Sequence, residues 1–174
     1  MKKSLVFLTV LLLSISINAQ SPQFSVGIVG SHFHNNSSSD RISEANNPFG
    51  YGLVFAGKFT EELSMGLTLE YLEDNLEFNS GEEKDFRANY SFFLHPINTQ
   101  YVQPYFSAGV VYTHRKLTYE NKADDNKNLL NGRFSVGVDI PVIANLFING
   151  DLGAYSNGFG FVGWGSTLGF RFAL

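Results

Sequence analysis

The final segment of the chain, residues 162–174, alternates bulky apolar side chains with small or polar ones. The even positions are Val162, Trp164, Ser166, Leu168, Phe170, Phe172 and Leu174, and the odd positions are Gly163, Gly165, Thr167, Gly169, Arg171 and Ala173. A period of two predicts a β-strand with two different faces. The odd face is too small and too polar to fill a hydrophobic core. The pattern therefore predicts a strand that turns its bulky face to lipid and its other face to a polar lumen.

The same alternation recurs in seven earlier segments, and no segment beyond residue 19 shows a sustained helical stripe. The seven segments are residues 23–34, 49–60, 63–72, 85–94, 102–116, 130–140 and 146–155. Seventeen Gly, seventeen Phe and eight Tyr, against two Met, favour strands over helices. The sequence thus predicts an all-β fold, an eight-stranded antiparallel up-and-down transmembrane β-barrel.

The first nineteen residues are predicted to be a cleaved signal peptide. Lys2 and Lys3 precede an apolar run at 5–17, and Ala19 supplies a small residue for cleavage. The alternative, a transmembrane helix, requires about 20 apolar residues, and the run at 5–17 is shorter than that. We therefore expect one barrel domain at 20–174.

Charge and cysteine content exclude several classes of function. Removal of the two lysines takes the formal charge from −4 to −6, which argues against a nucleic-acid partner. The sequence has no cysteine, so disulfides, thiolate metal sites and an acylated cysteine are excluded. Nothing in the sequence predicts a cofactor.

The predicted connections alternate between long and short. Long polar segments at 35–48, 73–84 and 117–129 contrast with a tight turn at Glu61 and Glu62. Long outer loops and short periplasmic turns are typical of outer-membrane barrels. Because the strand number is even, both termini are expected on the periplasmic side.

The pattern resembles the small eight-stranded outer-membrane barrels of the OmpA and OmpX type, the outer membrane protein beta-barrel domains or porin family proteins, over the whole mature chain. Thr167, Gly169 and Phe172 match the C-terminal signal read by the barrel assembly machinery, and Leu174 stands where an aromatic residue is usual. The resemblance implies insertion by that machinery into the outer membrane of a Gram-negative bacterium. It also implies contact with outer-membrane lipid and lipopolysaccharide, and we expect a monomer.

Outward aromatic side chains are predicted to form two girdles at the membrane surfaces. Tyr51, Tyr71, Tyr112 and Trp164 fall near outer strand ends, and Phe59, Phe106 and Phe170 fall near inner ends. Aromatic rings favour the interface between lipid and water. The alternative is that they form the core of a soluble β-sandwich.

Inward charges are predicted to form a network in the lumen. Lys58, Asp139 and Arg171 fall near the periplasmic end, and Glu70, Arg87, Arg115, Arg133 and Asp151 fall in the middle and outer half. The first three are expected at one level, with Asp139 between two cations. An eight-stranded barrel is just wide enough for side chains to fill. The network is therefore predicted to plug the lumen, and the alternative is a conducting pore.

Three classes of function remain open from the sequence. The first is a structural or interaction role, with an extracellular ligand bound through the outer loops, and the second is a narrow channel for small solutes. The third is a lipid A-modifying enzyme, for which His32, His34 and His114 at the rim are the candidate groups. These histidines are predicted on the first and fifth strands, on opposite sides of the barrel, so no catalytic or metal-binding residues are assigned.

Overall fold

A computed structural model describes residues 23–35, 48–75, 81–97, 99–119, 123–158 and 160–174, which form a closed barrel of eight antiparallel strands. The strands are β1 Gln23–Asn35, β2 Phe49–Lys58, β3 Leu63–Asn75, β4 Gly81–Leu94, β5 Gln103–Tyr119, β6 Asp125–Ile143, β7 Leu146–Asn157 and β8 Gly160–Ala173. Each strand pairs with its sequence neighbours, and β1 pairs with β8. The predicted fold is confirmed. The predicted signal peptide lies outside the described residues.

Among the described residues, no helix has the length and apolar character needed to cross a membrane.

The two ends of the barrel differ. At one end, which we call the termini end, lie the first residue of β1, the last residue of β8 and the connections 59–62, 95–102 and 144–145. At the other, the loop end, lie the connections 36–48, 76–80, 120–124 and 158–159. Each strand therefore runs from one end of the barrel to the other.

The exterior of the barrel is apolar. Ile28 on β1, Phe134 on β6 and Leu168 on β8 are 60%, 64% and 65% exposed. On each strand, the residues that alternate with such outward side chains point inward. Charged and polar groups such as Arg87 and Asp139 are buried instead. This distribution is the reverse of that in a soluble protein and suits a barrel surrounded by lipid.

Several segments predicted as loops are strands. β3 continues to Asn75, and β4 already begins at Gly81. Likewise, β5 continues to Tyr119, and β6 already begins at Asp125. Residues that were predicted to lie in a loop, such as Glu73 and Lys84, are therefore paired across neighbouring strands. The prediction was wrong here because the ladder continues where the outward side chains become polar. Without an apolar face, hydrophobic alternation no longer reports a strand.

The inward position of Val162 also contradicts the prediction. Tyr155 pairs with Gly163 and Ser156 with Phe161, so Val162 is an extra residue in β8. A β-bulge of this kind changes which face the following side chain occupies. Val162 accordingly points into the lumen and is only 4% exposed, whereas Trp164 and the later even positions face outward as predicted, with Ser166 again an exception to the bulky pattern.

Glycine is required where neighbouring strands approach closely on the inner face. A Cβ atom at Gly27 would lie 1.9 Å from the carbonyl oxygen of Phe170, and one at Gly109 would lie 2.3 Å from that of Tyr90. Backbone atoms at these distances leave no room for a side chain. The glycines in the alternating pattern thus serve strand packing as well as lumen size.

We expect Leu67→Arg to lower the free energy of unfolding by about 2–4 kcal/mol, because it places a charge on the lipid face of β3. The matched control is Asn126→Arg on the exposed polar part of β6, for which we expect a loss below about 1 kcal/mol. Urea unfolding of both variants in lipid vesicles measures the difference. Similar losses for the two variants would contradict the assigned position of the lipid.

Candidate functional site

Inward side chains contact one another from the termini end of the lumen to the loop end. We call this set the lumen column. Its members, in order from the termini end, are Arg171, Asp139, His95, Tyr105, Asp151, Arg133, Tyr155, Phe33, Arg87, Asp85, Arg115 and Glu83. All but Asp151 and Arg171 are buried, and those two are nearly so. Ionic and aromatic contacts alternate along it.

At the termini end, the Asp139 carboxylate binds two cationic or potentially cationic groups. Arg171 donates a hydrogen bond to it from Nη2, and His95 Nε2 lies 3.4 Å away. Lys58 lines the same cavity as Asp139 and Arg171, so the three predicted residues share one level. Within the described part of the chain, however, Lys58 forms no ion pair with Asp139. The second group beside Asp139 is the His95 ring instead of the expected Lys58, because His95 continues the inward parity of Ser91 and Phe93 one step beyond β4.

In the middle of the lumen, Asp151 joins two strands. Arg133 donates to one of its oxygens, and the Tyr105 hydroxyl donates to the other over 3.4 Å. Glu70 is buried nearby, and its Oε1 atom has no hydrogen-bond partner. A cavity of about 20 Å³ lies beside these groups. Arg133, Asp151 and Glu70 therefore occupy the lumen together, at the middle level assigned from the sequence.

At the loop end, Arg115 forms the most extensive ionic contacts of the column. Its Nε and Nη2 atoms each donate a hydrogen bond of 2.9 Å to Asp85, and Nε lies 2.8 Å from Glu83. Arg87 donates a further bond of 3.1 Å to Asp85. Two parallel bonds from one guanidinium fix the geometry of the pair. Sequence analysis missed Glu83 and Asp85, although both share the parity of Arg87 on β4.

An apolar cluster lies between the middle and loop-end charges. It consists of Phe33, Leu72, Val111, Tyr155 and Val162, with Leu129 packed against it. The Arg87 guanidinium lies 4.7 Å from the centre of the Phe33 ring, a cation–π contact. The adjoining cavity measures only about 10 Å³. The lumen is thus apolar at this level, where the sequence predicted polar side chains throughout.

Most of the predicted girdle residues lie on the exterior near the rims. Tyr51, Tyr112 and Trp164 are exposed near the loop end, and the Tyr71 ring centroid lies 5.9 Å from that of Tyr51. On the termini side, Phe106 and Phe170 are exposed. Phe59 instead belongs to the connection 59–62 and is half-buried.

The histidines at the rim occupy two separate places. His32 and His34 on β1 lie 6.3 and 5.3 Å from Trp164, measured between ring centroids. His114 on β5 bonds Asn128 at 2.8 Å. Strands β1 and β5 are on opposite sides of the barrel, so the structure does not bring these rings together.

The polar rim at the loop end carries its own charge pairs. The Lys84 ammonium donates a hydrogen bond of 2.6 Å to Glu82 and lies 3.7 Å from Glu73. The bond from Lys84 lowers the pKa of the Glu82 carboxyl. No group of three His, Asp or Glu side chains suited to a metal ion occurs among the described residues.

Comparison with known proteins identifies similar barrels. The family model described as outer membrane protein beta-barrel domain matches residues 5–172. Among curated protein sequences, none matches the chain.

Solved structures share the fold at low identity. Outer membrane protein OprG from Pseudomonas aeruginosa superposes with a TM-score of 0.72 at 12% identity, covering 90% of this chain and 97% of that one. Neisserial surface protein A gives a TM-score of 0.66 at 16% identity, covering 86% and 96%. Ail, the attachment invasion locus protein of Yersinia pestis, gives 0.59 at 14% identity, covering 88% and 97%.

We expect Asp139→Ala to lower the free energy of unfolding by about 3–5 kcal/mol, because it leaves the largely buried Arg171 guanidinium without its carboxylate. Replacing the pair together, as Asp139→Leu with Arg171→Met, should cost clearly less. Asp125→Ala, which removes the exposed partner of Lys127, is the control and should cost below about 1 kcal/mol. The unfolding midpoint in denaturant ranks the three. If Asp139→Ala matched the control, the lumen charges would be hydrated independently.

Proposed function

Because the chain belongs to the outer membrane protein beta-barrel domain family, we propose that it is an outer-membrane barrel with a plugged lumen that works by binding a partner at its loop end. The loop end then faces the outside of a Gram-negative cell, and both termini are periplasmic. Outer-membrane lipid and lipopolysaccharide surround the apolar exterior. Thr167, Gly169, Phe172 and Leu174 serve as the signal for the barrel assembly machinery, and the barrel is a monomer.

The side-chain filling of the lumen supports the plug. Three cavities lined by described residues measure about 90 Å³ at the termini end, about 20 Å³ in the middle and about 10 Å³ beside the apolar cluster. The rings of Phe33 and Tyr155 are buried, and their centroids lie 5.0 Å apart. Hydrated ions need a water-filled path, which such an apolar contact does not provide. The ion pairs Arg133–Asp151 and Arg87–Asp85, on the two sides of these rings, hold the rings in place. A small-solute channel has correspondingly less support.

A sheet that extends beyond the apolar exterior supports binding at the loop end. Outward side chains on β5 and β6 change from Tyr112 and Leu130 to the polar His114 and Asn128. The strands continue past this boundary to Tyr119 and back from Asp125. Polar outward side chains suit water and not hydrocarbon. This part of the sheet is therefore placed in the aqueous phase.

The observation that carries the proposal is that, in the part of the chain that the structure describes, the first part of β6 is paired on one side only, with β5 and not with β7. β6 pairs with β5 from residue 125 onward, but its pairing with β7 begins only at Gly132. Residues 125–131 consequently have no strand on that side among the described residues. The side chains of Asn126, Lys127 and Asn128 are exposed. An unpaired edge of this length is a template for an added strand.

The partner that this edge fits is an extended peptide segment. Adding a strand satisfies backbone N–H and C=O groups of both chains, and side chains at alternate positions supply selectivity. The enzyme alternative has less support, because His32 and His34 lie half a barrel from His114.

We expect no single-channel conductance from the purified protein in planar lipid bilayers, because, among the described residues, the buried apolar cluster fills one level of the lumen. The Val111→Gly and Val162→Gly double variant, which empties part of that cluster, tests whether the plug is responsible. Discrete conductance steps from the unmodified protein would make the small-solute channel the better proposal.

We expect extended peptides selected from a phage-displayed library against the protein in nanodiscs to bind at the edge of β6. The chain has no cysteine, so Lys127→Cys carries one label, and a bulky maleimide there should weaken binding at least about ten-fold by blocking the edge. The same label on Asn145→Cys, in the connection 144–145, is the matched control and should leave binding unchanged.

The same two variants test the orientation. A maleimide that does not cross membranes should label Lys127→Cys on intact cells and spare Asn145→Cys. Labelling of Asn145→Cys alone would reverse the orientation. Equal peptide binding to both labelled variants would exclude the β6 edge as the binding surface.

A further inference from the structure

A polar cavity of about 90 Å³ opens inside the barrel at the termini end. Lys58, Ser64, His95, Gln103, Asp139 and Arg171 line it with hydrogen-bonding groups. Gln23 and Ala173, at the ends of β1 and β8, also contribute to its wall, so the cavity reaches the mouth of the barrel. The proposed binding at the loop end does not use it.

The lining has more positive than negative charge. Lys58 and Arg171 face a single carboxylate, Asp139, and the Arg171 guanidinium already bonds it. No carboxylate lies within 4.0 Å of the Lys58 ammonium among the described residues. Lys58 is half-buried, and a cation beside a confined polar cavity without a counter-ion attracts an anion.

Three buried polar atoms around the cavity also have no hydrogen-bond partner. They are His95 Nδ1, Arg171 Nε and Asp139 Oδ1. Arg171 Nε is a donor, and His95 donates from whichever ring nitrogen carries the proton, whereas Asp139 Oδ1 can only accept from a ligand. Buried polar groups normally have partners, so a cluster of unpaired ones at a cavity points to a ligand.

We propose that this cavity binds a protonated oxyanion, and inorganic phosphate fits it best. Lys58 and the Arg171 Nε–H group bind the anionic oxygens, with Ser64 and Gln103 as neutral donors. The hydroxyl group of hydrogen phosphate donates to Asp139 Oδ1, which a fully deprotonated anion does not do. A metal cation does not fit, because Asp139, the one carboxylate among the described lining residues, is already bound to a guanidinium.

The hydroxyl requirement separates the sources of such an anion. Inorganic hydrogen phosphate keeps a P–OH group that donates a hydrogen bond to Asp139, whereas a phosphate monoester, with a second pKa of about 6, is mostly the fully deprotonated dianion at pH 7.5. Sulfate at neutral pH and the phosphate diester of a phospholipid headgroup have no such hydroxyl group. The cavity is therefore selective for phosphate from the aqueous phase, and a headgroup would bind no better than sulfate.

We test the site by titrating ¹⁵N-labelled protein in maltoside micelles at pH 7.5 with phosphate, sulfate or dimethyl phosphate and following the backbone amides. Phosphate should give saturable shifts near Ser64 and Gln103, with affinity about ten-fold above that of sulfate and dimethyl phosphate, the value of one charge-assisted hydrogen bond. Lys58→Gln should weaken phosphate binding about ten-fold and leave the amide spectrum folded. Lys84→Gln, at the loop end and outside the β6 edge, is the control and should bind phosphate as the unmodified protein does.

Several results would overturn the site. These are shifts that grow linearly with ionic strength, equal affinity for phosphate and sulfate, or unchanged binding in Lys58→Gln. Tighter binding of dimethyl phosphate than of phosphate would also contradict it, since the diester lacks the proton. Because the readout is local to the termini end, loss of this site would leave the proposed loop-end binding untouched.

Discussion

Every backbone N–H and C=O group in the hydrocarbon layer must find its partner within the protein, because lipid offers none. Pairing of β1 with β8, from Ser25 with Ala173 to Asn35 with Gly163, meets this requirement by removing the last open edge of the sheet in the membrane. Eight strands are enough to close it but leave a narrow interior. The choice of side chains on both faces follows from that closure. The outer face is apolar because it meets lipid, and the inner face carries glycine where strands crowd together.

The narrow interior also explains why charges in the lumen come in contact pairs. Arg115 with Asp85, Arg133 with Asp151 and Arg171 with Asp139 each place a guanidinium against a carboxylate where water is scarce. An unpaired ion in such a space would be strongly destabilising. The apolar cluster around Phe33 divides these pairs into two groups. Lys58 and Glu70 are exceptions, since neither forms an ion pair within the described part of the chain, and the unpaired Lys58 motivates the phosphate site.

Sequence patterning predicted the strands in the membrane because lipid and lumen impose opposite demands on alternate residues. Leu67, Phe134 and Leu168 follow that rule directly. The pattern failed at Val162, where one extra residue in β8 inverts the parity and only the pairing with β7 reveals it. It also failed between Glu73 and Lys84, since water on the outer face removes the demand for apolar residues while hydrogen bonding between strands continues.

The contents of the lumen were predictable only in part. Parity placed Arg115 and Asp139 inside, but it says nothing about which charges meet across the barrel. His95 and Lys58 illustrate this, because parity does not say which of the two contacts Asp139. His95 lies in the connection after β4, whose path the alternation does not predict. Phe33 and Val111 are apolar residues at inward positions, and their mutual packing depends on three-dimensional neighbours on β1 and β5.

The ion pair between Arg171 and Asp139 joins β8 to β6 and skips β7, the strand that separates them along the sheet. A two-residue slip of β8 would keep every side chain on its face, so the alternation of faces alone does not select the native register. The slip would, however, carry the Arg171 guanidinium away from its carboxylate. This cross-lumen contact therefore helps to distinguish the native closure of the barrel from its nearest misaligned neighbours, and it does so near the end of the last strand.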